Sequence, residues 1–178
     1  MENLKFPIGP FDFNSSYTSE ELKNWIETIA AFPNQLSETL ESIKPEMLDW
    51  PYRPQGWTIR QVIHHCADSH MNALIRFKLT LTESNPTIKP YNEASWAELS
   101  DTKDCEISDS IMILKGVHSR FDNILKNLSE TDFTRTYFHP EHQKSFSLAM
   151  ATSNYAWHSK HHLAHVKQAM RSNGKYIA

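Results

Sequence analysis

With 178 residues, the chain is long enough to bury a core and suits one domain, residues 1–178, at ~100–200 residues per domain. A formal charge of −3 supplies no basic field toward phosphate backbones or anionic lipid, so neither nucleic acid nor a membrane is the expected partner, and a small molecule is. There is no signal-like start and no run of about 18 apolar residues, which makes the cytoplasm the expected compartment, with Cys66 and Cys105 as free thiols.

Four glycines and nine prolines gather in a few places, so long elements joined by defined breaks are expected. Thr18 and Ser19 can cap a helix over about 19–43, carried by Leu22, Trp25, Ile26, Ile29, Phe32, Leu36, Leu40 and Ile43 at spacings of three and four. Pro33 falls inside it and predicts a kink or break near Ala31. After PYRPQG, a second helix is predicted from Thr58 to about Thr82, with Val62, Ile63, Cys66, Ala67, Leu74, Phe77 and Leu81 in one apolar arc. The stretch from Asn85 to Ser108 reads as a long connection, which in a compact domain either covers a site or crosses the fold. A third helix is predicted from Ser108 or Ser110 to Leu128. RTYFHPEHQKSFSL then suits a small β-hairpin around Pro140, and a fourth helix runs from near Ser147 to the stop at Asn173-Gly174. The sum is an all-α four-helix bundle, a fold that builds metal sites from side chains on facing helices.

Histidine is unevenly placed. Residues 154–165, NYAWHSKHHLAH, hold His158, His161, His162 and His165, which form two i, i+4 pairs on the fourth helix. The second helix answers with His64, His65 and His70 in VIHHCADSH. At 100 degrees per residue, Gln61, Asp68, Ser69, Asn72, Arg76 and Glu83 fall within about 60 degrees of His65, a narrow polar seam. On the fourth helix Asn154, His161, His165 and Gln168 make another, with His158 slightly further round. A polar stripe is ordinarily a solvated face. Here the fourth-helix seam has few of the lysines and glutamates that coat such faces, and neutral imidazole suits zinc, nickel, copper or iron. The seams prefer His65, His161 and His165, because His64 and His162 lean toward the apolar arcs, while spacing alone leaves His158/His162 open as the second pair. Asp68 is either a partner of a ligand imidazole, a proton acceptor or an exposed helix carboxylate; Asn72 and Arg76 continue the stripe toward the expected substrate end, although an arginine so placed more often pairs with a surface acid such as Glu83 than with a substrate. Trp57 and Trp157 could wall a pocket but fit a core better. Trp96, in the long connection, is the stronger candidate for the mouth of a site or a dimer contact.

The run GWTIRQVIHHCADSHMNALIRFKLTLTESNPTIKPYNEASWAELSD, then FHPE and YAWHSKHHLAHVKQ, preceded by KFPIG, resembles the YfiT branch of the DinB-like superfamily over nearly the whole chain. The resemblance implies a four-helix bundle, a homodimer, and one zinc or nickel ion per chain on three histidines, which carry over to His65, His161 and His165. It implies a metal-dependent hydrolase that uses a water activated on this tris-histidine site. Related bundles resemble metal-dependent thiol S-transferases of the bacillithiol type, acting on small electrophiles, so that activity is the alternative. Two bland alternatives are a metal-binding stress-response module without catalysis and a helical interaction protein with its polar seam in solvent. Where the family often has Leu after the His pair, this chain has Cys66, a thiol on the helix that carries His65. No catalytic base is assigned.

Overall fold

The computed structural model describes residues 2–13 and 16–177. Four long helices carry it: α1 (Ser19–Leu40), α2 (Ile59–Thr82), α3 (Ile107–Lys126) and α4 (Leu148–Ser172). Their starts are written in side chains. Thr18 and Thr58 each close a capping box, with Glu21 and Gln61, and the Ser147 hydroxyl accepts from the Met150 amide. The end of α4 is equally local, since Asn173 (φ 51°) and Gly174 (φ 74°) turn into the left-handed region that stops a helix. The end of α1 comes at Leu40, short of the expected Ile43. Pro45 holds Lys44 extended and begins a 3₁₀ turn, Pro45–Asp49. At its far end α3 stops at Lys126 rather than Leu128.

Pro33 does not break α1, which runs unbroken through it. The missing N–H leaves the Ile29 carbonyl without its helical partner. That partner comes instead from α3, where His118 Nδ1 lies 2.6 Å from the Ile29 oxygen.

Each helix packs on two others: α1 on α4 and α3, and α2 on α3 and α4. The ring order is therefore α1, α4, α2, α3. Helices consecutive in sequence, α1 with α2 and α3 with α4, sit across the diagonal and need connections that cross an end of the bundle. One of these contains the expected hairpin, β1 (Thr136–His139) antiparallel to β2 (Lys144–Ser147), with Thr136 opposite Ser147. The long connection from α2 to α3 holds two short helical turns, Glu93–Trp96 and Ser100–Lys103. It is tied down at Thr87, which bridges to Phe138 of β1, and at Ala97, whose carbonyl accepts from Gln61 Nε2.

The core has two apolar halves. One gathers Ile29, Phe77, Phe121, Leu148 and Tyr155, and the other Phe32, Leu36, Ile63, Leu114 and Val166. Between them, on three helices, lie buried His70 and His118 and partly buried His158. On α3, His118 stands between Leu114 of one half and Phe121 of the other. No helix among the described residues is long and apolar enough to cross a membrane.

Candidate metal centre

The helical repeat of α4 and its packing on α2 bring five imidazoles together: His65, His158, His161, His162 and His165. All are buried except His158, which is partly so and borders a cavity. His65 Nε2 lies 3.1 Å from His158 Nε2, and His162 Nδ1 lies 3.4 Å from His165 Nδ1. Two nitrogens bound to one tetrahedral zinc stand about 3.3 Å apart, so both pairs have the separation of co-ligands. Among the described residues, the three potential ligands whose nitrogens all meet within 4.8 Å are His65, His158 and His162. The expected His161 and His165 flank this group, with ring centroids 4.2 Å from each other and 5.1 and 5.3 Å from that of His162. The seams thus do converge, on His65 and on both i, i+4 pairs of α4 rather than on one.

The chemistry of each ring separates them. Burial first, and for His65 and His165 the nearby His161, hold these imidazoles far below the ordinary range: His65 and His161 at about 4 and His165 at about 3. Burial likewise holds His158 and His162 well below the ordinary range, so all five are neutral at pH 7 and each keeps a lone pair. His165 Nε2 donates to the Lys5 carbonyl at 3.1 Å, which leaves its Nδ1 unprotonated, facing His162, and supplies the outer partner that metal-ligating histidines characteristically have. His161 Nδ1 is buried with no hydrogen-bond partner. An orphaned buried acceptor inside a nest of neutral imidazoles fits a bound cation.

His158 is committed on both nitrogens, and the chain of bonds behind it has one consistent direction. The Ile29 carbonyl can only accept, so His118 carries its proton on Nδ1 and offers a lone pair at Nε2. His70 Nδ1, 2.6 Å away, must then donate, and His70 Nε2 in turn receives from His158 Nδ1 at 3.0 Å. Protonation of the intermediate rings would break the pattern, and it is suppressed: burial holds His118 at about 4 and His70 well below its ordinary value. One carbonyl freed by one proline therefore leaves a lone pair on His158 Nε2, facing His65. Whatever meets it there must present a positive end, either the N–H of His65 or a cation.

The N-terminal segment closes the outer side. Gln168 Nε2 donates to the Leu4 and Tyr52 carbonyls, Trp157 Nε1 donates to Gly9, and the Phe6 ring lies against His161. Tyr52 stacks on His165 at 3.8 Å, Trp157 on His161 at 4.2 Å, and Trp57 tilts against His65 at 4.7 Å. The two tryptophans expected to fit a core better thus contact the histidine cluster directly. Trp96 instead rests against Tyr91 in the long connection and is partly exposed.

The other residues of α2 near His65 divide into those that sit where expected, Cys66 as a free thiol and His64 off the seam, and Arg76, which does not. Cys66 is fully buried among Val62, Ile63 and Leu163, where desolvation pushes its thiol up, so it is packing rather than chemistry. His64 bonds Ser110 on α3 and stands apart from the cluster. Burial and then Asp101 raise the Asp68 carboxyl to about 6, and its side chain hydrogen-bonds no imidazole among the described residues. Arg76 does not pair with Glu83. It turns inward, with Nη1 3.3 Å from the Tyr155 hydroxyl. The residues the sequence reading missed are His118, as the foot of the chain behind His158, and the N-terminal cover. Pro33 within a helix was the one visible sign of the first.

A four-helix bundle that gathers buried neutral imidazoles from facing helices is of the class on which metal sites are built, and the matches to known proteins fall in that class. The model of the DinB superfamily matches residues 28–166, and the chain belongs to this family. It is 46% identical over 166 residues to a Bacillus cereus protein named "Putative metal-dependent hydrolase", covering 93% of this chain and 95% of that one. A Bacillus anthracis protein of the same name matches over the same shares. The solved structure of YfiT from Bacillus subtilis, described as a probable metal-dependent hydrolase with an unusual four-helix bundle topology, superposes with a TM-score of 0.93 at 42% identity. The match covers 97% of this chain and 98% of that one.

Proposed function

We propose that this protein is a metal-dependent hydrolase with one divalent ion, zinc or nickel, held by His65, His161 and His165. It acts on a small molecule in the cytoplasm, as a homodimer like the family members it resembles. The observation that carries the reading is the convergence of five neutral, buried imidazoles at the junction of α2 and α4, in a chain whose relatives are named for metal-dependent hydrolysis. His161 and His165 are preferred because one has an orphaned nitrogen and the other is oriented by a backbone carbonyl.

When bound, the ion supplies Lewis acidity, polarising a carbonyl and lowering the pKa of a water to ~7. The chain's own residues prepare the place. The Lys5 carbonyl fixes the tautomer of His165, the Trp157 face holds the His161 ring, and His158 orients His65. Phe6 and the segment around it exclude bulk water from the outer side.

A second ligand set, His65 with His158 and His162, is favoured by the 4.8 Å approach of their nitrogens. Elemental analysis of purified variants separates the two. His161→Ala is expected to lose stoichiometric metal while keeping its helical circular dichroism, and His158→Ala to retain metal with weaker affinity. The opposite pattern moves the ion to the second set, and undiminished metal in both variants sinks the site. A panel of esters and amides, run beside thiol-plus-electrophile pairs on the metal-loaded protein, tests the reaction. Turnover confined to the thiol pairs would replace hydrolysis with thiol transfer.

A further inference from the structure

Beside the histidine cluster lies a cavity of about 200 Å³, bordered on its inner side by His158 and Ser69 and walled by Tyr137, Phe146 and Tyr155. The hairpin, α2, α4 and the long connection all contribute to it. Among the described residues that line it, Arg76 is the one lysine or arginine, while the Lys144 ammonium lies over the Phe13 and Phe146 rings of its wall. The guanidinium has no carboxylate within 4 Å among the described residues, its Nη1 reaches the Tyr155 hydroxyl, and its Nε is buried without a hydrogen-bond partner. The Tyr91 hydroxyl and His139 Nδ1, in the same wall, are also buried and lack a well-formed hydrogen bond. Three of the residues that carry unmatched buried polar atoms, among the described residues, thus line one small space.

An unpaired guanidinium with free fork geometry is the standard receptor for a carboxylate, since its parallel N–H groups meet both oxygens. The other charges narrow the choice of anion. Glu93 and Glu141 stand at the mouth of the same cavity, and a dianion such as phosphate would meet both. A single carboxylate carried on an apolar or aromatic body meets one cation and the rings. The volume lies below the common ~300–1,000 Å³ range of ligand pockets, which keeps the body small.

Resting on the hydrolytic reading of the cluster for its reactive end, we propose that this cavity is the substrate subsite for a small monocarboxylate, its carboxylate on Arg76 and its hydrolysable ester or amide bond toward His158. The span is that of the Tyr155 side chain, whose hydroxyl receives Arg76 and whose ring centroid is 6.1 Å from that of His158. Cleavage adds the hydroxyl of water to the acyl carbon and a proton to the departing oxygen or nitrogen, and needs no other reactant.

Binding tests this without turnover. Calorimetry of 3-phenylpropionate against its uncharged analogue 3-phenylpropionamide, on the protein as purified, should favour the acid by about 10- to 100-fold, the usual weight of a charge-assisted hydrogen-bonded pair. Arg76→Met should abolish that preference, and Arg76→Lys should restore part of it. His65→Ala, which disrupts the histidine cluster, should leave the preference intact. Equal binding of acid and amide by the unaltered protein, or no binding of either, overturns the proposal. So does a preference that survives Arg76→Met and disappears with His65→Ala, because the carboxylate would then be sitting on the ion. If the hydrolytic reading alone fails, the Arg76-dependent preference remains and only the bond orientation is lost.

Discussion

Replacing His118 by Phe tests the link between Pro33 and the histidine cluster. Phenylalanine keeps the packing against Phe32, whose ring centroid is 5.5 Å from that of His118, and removes both hydrogen bonds of the imidazole. The Ile29 carbonyl and His70 Nδ1 are then buried without partners. At about 1–3 kcal/mol for each such group, the variant should lose roughly 2–6 kcal/mol. α1 cannot rescue its own carbonyl, because Pro33 has no N–H to give. Pro33→Ala supplies one, so in a double-mutant cycle the His118→Phe loss should be smaller on the Pro33→Ala background by about 1 kcal/mol, after the single-variant effect of Pro33→Ala is subtracted. Urea unfolding of metal-free protein, followed by circular dichroism, reads all four corners. A His118→Phe loss below about 0.5 kcal/mol, or additivity between the two sites, refutes the assigned chain.

Two further outcomes follow from burial. The unfolded chain protonates its histidines near 6.5, whereas His65, His118 and His161 titrate at about 4 and His165 at about 3 in the fold. The unfolded state therefore binds more protons as pH falls, so this stability is intact above 6.5 and is lost progressively down to about 4. Each group contributes roughly 1.4 kcal/mol per pH unit, so the four can exhaust a typical 5–15 kcal/mol within a few units. Metal-free protein should unfold between about pH 6 and 4, and a constant urea midpoint from pH 7 to 4.5 would contradict the burial of neutral rings. A thiol reagent such as Ellman's should titrate Cys105 alone in native protein and both cysteines in denaturant, since Cys66 is buried and Cys105 exposed. Prompt reaction of two thiols in native protein would show that Cys66 is accessible after all.

The bundle was legible because its determinants are local. Thr18, Thr58 and Ser147 cap the helices that their positions announce, and Asn173-Gly174 stops α4 where expected. The convergence of α2 and α4 on a histidine-rich seam was legible too, from helical periodicity. What periodicity could not supply is the pairing across the bundle. His118 stands alone in the apolar arc of α3 and has no meaning until α1 lies beside it with a vacant carbonyl. Pro33 read as a breaker because its local effect is to remove a bond, and the replacement comes from a residue 85 positions away. Arg76 was legible as the continuation of the His65 stripe toward a substrate end, but the stripe could not show that the hairpin and the long connection fold over it and leave it without the surface acid such a residue usually finds. The ring order, with α1 and α2 on one diagonal and α3 and α4 on the other, is likewise a property of crossings rather than of any one segment.

Hydrogen-bond arithmetic explains why so costly a layer points to a cation rather than to packing. A neutral imidazole brings one N–H and one lone pair, so a closed set of neutral histidines can in principle satisfy itself. The network of His65, His70, His118, His158, His161, His162 and His165 is not closed, because two of its N–H groups are spent on the carbonyls of Ile29 and Lys5. Lone pairs then exceed the N–H groups left to meet them, and the imbalance is passed inward along the chain to the cluster, where His161 Nδ1 stands without a partner. Protonation would correct it, but burial forbids a charged ring there at neutral pH. Apolar residues would fill the same layer with no such debt. A layer of histidines that spends N–H groups on backbone carbonyls at both ends and keeps its lone pairs in the middle is matched by a guest that brings donors or positive charge, and a cation is the guest that takes several nitrogens at once.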